Sequence, residues 1–253
     1  MNNFDGVGKK IYGLVGRSLE HSFSRDYFNN KFEKENLDCS YLNFDLPSID
    51  KLSDIIKNYP DLQGFNVTSP YKKSIIQHLD FIDERAKDVG AVNVVNILND
   101  KKLYGFNADV IGFDCLLNIA TRGKKTGNAI IFGSGGASRA VQYVLKQKDI
   151  PYYIVSRQAG NGYLSYEEIN EKGFGGYSLI INATPIGTFP KINDHLPLPF
   201  DTFDNHHIVI DLIYNPEETF LLHEAKNHGA STFNGRKMLI EQAEESWKIW
   251  NKK

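Results

Sequence analysis

Ala129-Ile130-Ile131-Phe132-Gly133-Ser134-Gly135-Gly136-Ala137-Ser138-Arg139-Ala140-Val141 carries an apolar run through three glycines into a helix-forming segment. Residues 127–132 read as a buried strand and the stretch from Ala137 to about residue 148 as a helix. Such a strand-to-helix turn suits a dinucleotide. The first glycine, Gly133, makes the tight turn, and Gly135 lets the backbone approach a pyrophosphate. The helix N-terminus supplies free N–H groups and a positive dipole end. Ser138 stands where a third glycine is expected and is small enough for helix to pack on strand. A plain tight turn has the same composition, so the loop by itself leaves both readings open.

Outward from this loop, short apolar runs alternate with helix-period stretches, the pattern of βαβ units and a mainly parallel sheet, so the class is α/β. Before the loop, strands are expected at 10–16, 40–45 and 64–67, with a hairpin of 92–98 and 103–106. Helices are expected over 22–36, after Ser48 (with Ile49, Leu52, Ile55 and Ile56 inward), from Tyr71, and through 114–121. After the loop come strands at 152–155, 178–183 and 208–212, a helix over 217–227 and an amphipathic segment over 238–250. Two domains are expected, 1–110 completed by 236–253 and 111–235.

Composition narrows the function classes. The 253 residues are 41% hydrophobic and 24% charged, as in an ordinary globular protein. Apolar runs such as 177–183 and 208–214 stop well short of the ~20 residues of a membrane-spanning helix. The opening Met1-Asn2-Asn3-Phe4-Asp5 has no charged lead into an apolar stretch, so no secretory signal is expected. A net charge of -2 supplies no field for nucleic acid or an anionic membrane, so any anion must be bound locally. Cys39 and Cys115 are far apart, with no CxxC or Cys/His cluster, which predicts no metal site and a reducing, cytoplasmic setting.

Three further segments carry chemistry. Ser156-Arg157 closes the strand after the glycine loop, about 20 residues on, where an NAD site places an acid on the ribose 2′-hydroxyl. An arginine there offers a fork for a 2′-phosphate instead, which points to NADP. In His21-Ser22-Phe23-Ser24 the two serines open a helix; each is a good N-cap, and together they make a seat for a carboxylate, while His21 reads as structural. Asn66-Val67-Thr68-Ser69-Pro70-Tyr71-Lys72 places a lysine in the first turn of the helix from Tyr71, the unfavourable end of the dipole. Asp109 follows the hairpin, precedes the next helix and falls at the domain seam, where a Lys72 and Asp109 pair could hold and transfer a proton.

Taken in order, these motifs resemble those of the shikimate dehydrogenases, NADP-dependent enzymes of the pathway to chorismate and the aromatic amino acids. The resemblance rests also on Tyr12-Gly13-Leu14-Val15-Gly16, Gly90-Ala91-Val92-Asn93, Gly105-Phe106-Asn107-Ala108-Asp109, Asn182-Ala183-Thr184-Pro185-Ile186-Gly187, Asp211-Leu212-Ile213-Tyr214-Asn215-Pro216 and the stretch 238–243. It implies an N-terminal α/β substrate domain, rejoined by the last helix, an NADP-binding Rossmann domain, and a cleft between them. Ser22 and Ser24 would hold the substrate carboxylate. Asn66, Thr68, Asn93, Asp109, Tyr214 and Gln242 would bind the rest of the substrate, with Lys72 and Asp109 as the catalytic pair. Gly133, Ser134, Gly135, Gly136, Ala137, Ser156, Arg157, Thr184, Lys237 and Met238 would bind NADP. The implied reaction is reversible reduction of 3-dehydroshikimate to shikimate, without a metal, in a monomer or homodimer.

Four segments depart from the family pattern. Asn-Arg-Thr reads Ser156-Arg157-Gln158, Asn-Thr-Asp reads Asn107-Ala108-Asp109, the proline after Ser-x-Ser is Arg25, and Lys237 stands where glycine is common. Two rival readings share the motifs: a quinate/shikimate dehydrogenase using NAD or NADP, and a non-catalytic sensor. Arg157 with no neighbouring acid disfavours NAD, and retention of Lys72 with Asp109 disfavours a sensor.

Overall fold

The structure is a computed structural model that describes residues 9–20, 22–122, 126–157, 160 and 162–252. His21 and Gln158 lie outside the described residues. In chain order the elements are β1 (Lys10–Gly16), α1 (Phe23–Lys34), β2 (Cys39–Asp45), α2 (Leu52–Asn58), β3 (Leu62–Val67), β4 (Phe81–Ile82), α3 (Glu84–Val89), β5 (Val94–Ile97), β6 (Leu103–Phe106), α4 (Asp109–Thr121), β7 (Ala129–Phe132), α5 (Gly136–Gln147), β8 (Tyr152–Val155), α6 (Tyr166–Lys172), β9 (Leu179–Asn182), β10 (Ile208–Asp211), α7 (Phe220–Asn227), β11 (Ser231–Asn234) and α8 (Arg236–Asn251). They divide into two compact units, Met1–Ala108 with Glu245–Lys253, and Asp109–Glu244. The expected domains differ from these units chiefly in α8, whose residues 236–244 belong to the second unit.

The first unit is built on a sheet of order β2-β1-β3-β5-β6-β4. β1 pairs in parallel with β2 and β3, β4 pairs in parallel with β6, and β5 runs against both of its neighbours. Alternation along β1 sends Ile11 and Val15 into a core with Phe65, Val67 and Ile75, while Tyr12 faces the opposite side. There its ring meets Trp247 at 5.5 Å and Trp250 at 4.9 Å, and Phe28 and Phe32 of α1 complete the cluster. The Trp250 indole donates to the Val95 carbonyl at 3.0 Å, which fastens the end of the chain to β5.

The second unit has a five-stranded sheet of order β11-β10-β9-β7-β8, with every pair parallel. β7 and β9 are buried along their whole length, as strands covered on both faces must be. The order reverses between β7 and β9, since the chain goes from β7 outward to β8 and then returns. In a doubly wound sheet, ligands bind beyond the carboxyl ends of the strands at such a switch point.

Several local expectations change. The helix expected from Tyr71 is a turn followed by a 3-10 helix over Ser74–His78. Asp109 does not precede its helix but is the first residue of α4, five residues earlier than the apolar pattern predicts. The short elements β4, α3, α6 and β11 add to those expected. Ser165 and Glu168 form a capping box at α6, and Asp83 with Gly90 at φ 65° bracket α3. Ser231–Asn234 is polar and becomes a strand through its pairing with β10.

Replacing Trp250 with alanine removes a buried indole and its hydrogen bond. The expected loss is ~3–5 kcal/mol, read as a lower urea midpoint in equilibrium unfolding.

Candidate active site

In the first unit the substrate-binding candidates gather at the carboxyl ends of β1 and β3. Ser22 is the N-cap of α1, its hydroxyl oxygen accepting from the Arg25 amide at 3.5 Å. Ser24, in the first turn, is buried and hydrogen-bonded to the Tyr41 hydroxyl. Tyr41 donates in turn to Asn66 Oδ1 at 2.8 Å. The Asn66 amide nitrogen donates to the Asn93 carbonyl at 3.1 Å and to Ser246 Oγ at 2.8 Å. One buried polar network therefore joins Ser24, Asn66 and Asn93 through Tyr41, a residue that reads in sequence as strand core. Burial pushes the Tyr41 pKa well up, against the hydrogen bond with Ser24, so the hydroxyl stays a donor.

Thr68 and Lys72 join this cluster through the backbone. The Thr68 amide donates to the Val15 carbonyl at 2.9 Å, and the Val92 amide to the Lys72 carbonyl at 2.8 Å. Asn93 Oδ1 accepts from the Ala108 amide at 2.7 Å, which fixes the backbone just before Asp109. Tyr71, beside Lys72, donates to the Leu46 carbonyl at 2.6 Å, and the Arg17 guanidinium lies 5.9 Å over its ring. The lysine thus sits half-buried in a braced turn, and the dipole penalty expected for it does not apply, because the 3-10 helix starts two residues later. Lys72 belongs to the first unit and Asp109, buried, opens the second.

In the second unit the glycine loop occupies the switch point. Gly133 has φ +101°, and a Cβ there would lie 3.0 Å from Thr184 Cγ2 and 3.2 Å from the Ala183 carbonyl, so conformation and space both require glycine. Gly135 differs, because nothing lies within 4 Å of where its Cβ would stand and its backbone faces open space. Gly135 also caps α5 without a side chain, which leaves the first-turn amides over Gly136, Ala137 and Ser138 available to a ligand. Ser134 lies between these glycines, and Ser138 is fully buried against the sheet. Ser156 and exposed Arg157 follow β8 at the same edge of the sheet.

Thr184 is held from beneath. Its amide and hydroxyl both donate to Asn182 Oδ1, at 2.9 and 2.7 Å, and Asn182 donates to Asp211 Oδ1 at 3.0 Å. The Ile213 amide reaches the same Asp211 oxygen at 3.0 Å, and the Thr219 hydroxyl reaches the other at 2.7 Å. Fully buried Asp211 thereby orders the loops bearing Thr184 and Tyr214. The motifs contain Asn182 and Asp211 but assign them no role, since a polar residue ending an apolar strand says nothing of what it meets. On α8, Lys237 pairs with Glu241 at 2.7 Å, which raises its pKa and leaves its main chain to contact a ligand. A Cβ at Gly112 of α4 would collide with the Met238 carbonyl, so that glycine sets where Met238 sits. Gln242 is buried and donates to the Leu239 carbonyl at 3.0 Å. Among the described residues no group of three or more His, Cys, Asp or Glu could hold a metal ion, and no helix is long and apolar enough to cross a membrane.

Residues 14–95 match the family described as the shikimate dehydrogenase substrate binding domain. A shikimate dehydrogenase (NADP(+)) of Clostridium beijerinckii is 38% identical over 254 residues, covering 95% of this chain and 92% of that protein. The chain belongs to the shikimate dehydrogenase family. Among solved structures of the family, that of Aquifex aeolicus shikimate dehydrogenase superposes with a TM-score of 0.85 at 32% identity, covering 97% of this chain and 94% of the other. Shikimate 5-dehydrogenase of Thermus thermophilus, solved in complex with NADP(H) and shikimate, gives 0.81 at 28% identity over 96% and 93%.

Burial pushes the Asp211 carboxyl from its ordinary 3.8 up to about 6, outweighing the hydrogen bonds from Thr219, Ile213 and Asn182. Because the folded pKa is raised, the unfolded chain ionises first, and stability falls as pH rises from 3.8 through about 6. The full loss is about 3 kcal/mol by the linkage relation. Asp211→Asn is expected to abolish that slope, so wild type and variant compared by urea unfolding at pH 4 and pH 7 should differ by a pH-dependent amount of this size.

Proposed function

We propose that this chain catalyses the reversible reduction of the 3-keto group of 3-dehydroshikimate to shikimate by NADPH, with Lys72 and Asp109 as the proton-handling pair. It is an NADP-dependent oxidoreductase of the shikimate dehydrogenase family, working in the route to chorismate and the aromatic amino acids. The observation that carries the reading is the buried network of Ser24, Tyr41, Asn66 and Asn93, a neutral set of hydroxyls and amides suited to a polyhydroxylated ring acid. The first unit supplies this polar network and the second supplies the glycine turn.

The glycine loop fits that cofactor. Its bare Gly135 backbone leaves room for a pyrophosphate that any side chain there would narrow. Gly133, Ser134, Gly135, Gly136, Ala137 and Thr184 would hold the phosphates and adjoining groups, Ser156 and Arg157 the 2′-phosphate, and Lys237 and Met238 the nicotinamide end. When bound, the cofactor supplies the hydride.

The remaining steps fall to the chain's own side chains. The Ser22 hydroxyl donates to the substrate carboxylate, and the Ser24 hydroxyl does so by exchanging its bond to Tyr41, using the helix end rather than a cation to offset the charge. Asn66, Thr68, Asn93, Tyr214 and Gln242 orient the ring. The Lys72 ammonium gives a proton to the substrate oxygen as negative charge develops on it, and Asp109 holds that ammonium and the neighbouring ring hydroxyl. Two free cysteines, Cys39 and Cys115, support a cytoplasmic setting, and we propose a monomer or homodimer.

NADPH consumption with 3-dehydroshikimate tests the assignment. Lys72→Ala is expected to lower kcat by about 10²-fold or more with little change in KM, as for a group acting mainly in the transition state. An unchanged kcat removes Lys72 from the mechanism. A larger kcat/KM for quinate with NAD than for shikimate with NADP overturns the substrate and cofactor together.

A further inference from the structure

Leu164 lies alongside the end of β8. Leu164 forms a parallel bridge with Val155, its amide donates to the Ile154 carbonyl at 2.8 Å, and its carbonyl accepts from the Ser156 amide at 3.1 Å. Arg157 follows this bridge by two residues on one segment and Tyr166 by two on the other, and the Arg157 charge acts on the Tyr166 hydroxyl.

Tyr166 is held rigidly there. It is the first residue of α6, whose start is set by the capping box: Glu168 N donates to Ser165 Oγ at 3.2 Å and Ser165 N to Glu168 Oε2 at 2.8 Å. Its ring stacks on Phe132, the residue before Gly133, with centroids 5.9 Å apart and planes 22° from parallel. Both acids that follow it are turned back on the helix start, Glu168 through the box and Glu167 through hydrogen bonds with its own backbone and Ser165.

A phenylalanine would satisfy this packing at no cost in buried hydroxyl. Burial raises the pKa of the Tyr166 hydroxyl, and the Arg157 guanidinium draws it back by less, so the group remains a protonated donor under the influence of that cation. An arginine and a phenol donor at the end of the second strand of a dinucleotide fold have the chemistry of a receptor for a phosphate monoester.

We infer that Tyr166 is a specificity-determining residue, whose hydroxyl donates to the 2′-phosphate of the cofactor alongside Arg157 and so helps this enzyme to prefer NADP over NAD. This rests on the proposed role of Arg157. The departure of Ser156-Arg157-Gln158 from the family's Asn-Arg-Thr gives the role a reason, because part of the anion's hydrogen bonding passes to a residue nine positions downstream.

Fluorescence titration of NADPH and of NADH into wild type, Tyr166→Phe and Arg157→Ala separates the possibilities without relying on turnover. Tyr166→Phe keeps the ring on Phe132 and is expected to weaken NADPH binding about tenfold, the effect of one hydrogen bond to a charged group, while leaving NADH binding and the thermal midpoint of the free protein unchanged. Equal weakening of both dinucleotides, or no change in NADPH affinity while Arg157→Ala lowers it, overturns the inference and leaves the role of Arg157 standing. If Arg157→Ala leaves the ratio of NADPH to NADH affinity unaltered, the 2′-phosphate reading fails, and the role of Tyr166 falls with it.

Discussion

Asp211 is a carboxylate with no exposure to water, and the loops at the carboxyl edge of the second sheet depend on it. A carboxylate only accepts hydrogen bonds, and every group that meets this one donates: the Asn182 amide, the Ile213 backbone and the Thr219 hydroxyl. Asparagine has the same shape but would turn a donor toward donors. The cost appears as a pKa raised by burial, and the gain is order in the two loops that follow β9 and β10. Thr184 receives its orientation through Asn182 and in turn closes on Gly133, so the glycine turn and the buried acid form one continuous arrangement.

The first unit uses the same physics with neutral groups. Ser24, Tyr41, Asn66, Asn93 and Ser246 satisfy one another in a low-dielectric setting, which fixes where hydroxyls and amides point before any ligand arrives. A site of buried polar groups discriminates strongly, because a ligand lacking a hydroxyl leaves a partner unsatisfied.

Much of this is legible in the chain. The apolar runs that become β1, β3 and β7 to β10, and the glycine turn after β7, follow from periodicity and from what glycine permits. Other features are hidden for definite reasons. Lys72 looks dipole-strained if Tyr71 opens a helix, whereas the turn is held by Tyr71 reaching the Leu46 carbonyl, a contact across 25 residues. Asp109 looks like a loop residue because Gly112 interrupts the helix-forming pattern, whereas Val110 and Phe113 already lie on the buried face of α4. Tyr41 is invisible as a network member, since an aromatic on a strand is core by default. The start of α6 is written in Ser165 and Glu168, but the influence of Arg157 on Tyr166 depends on a bridge formed only in the folded chain.

The sequence by itself determined the α/β class, the place of the dinucleotide turn, the identity of the chemical groups and the family, because these depend on local periodicity, on glycine and proline conformations, and on residue types in order. The tertiary structure decided which of those groups meet. Strand order puts the turn after β7 beside the loop after β9, parallel register brings Phe132 level with Asn182, and burial makes Asp211 a poor acid but a strong acceptor. Such contacts join residues tens of positions apart, and their energies come from desolvation and packing, which exist only once the chain has folded.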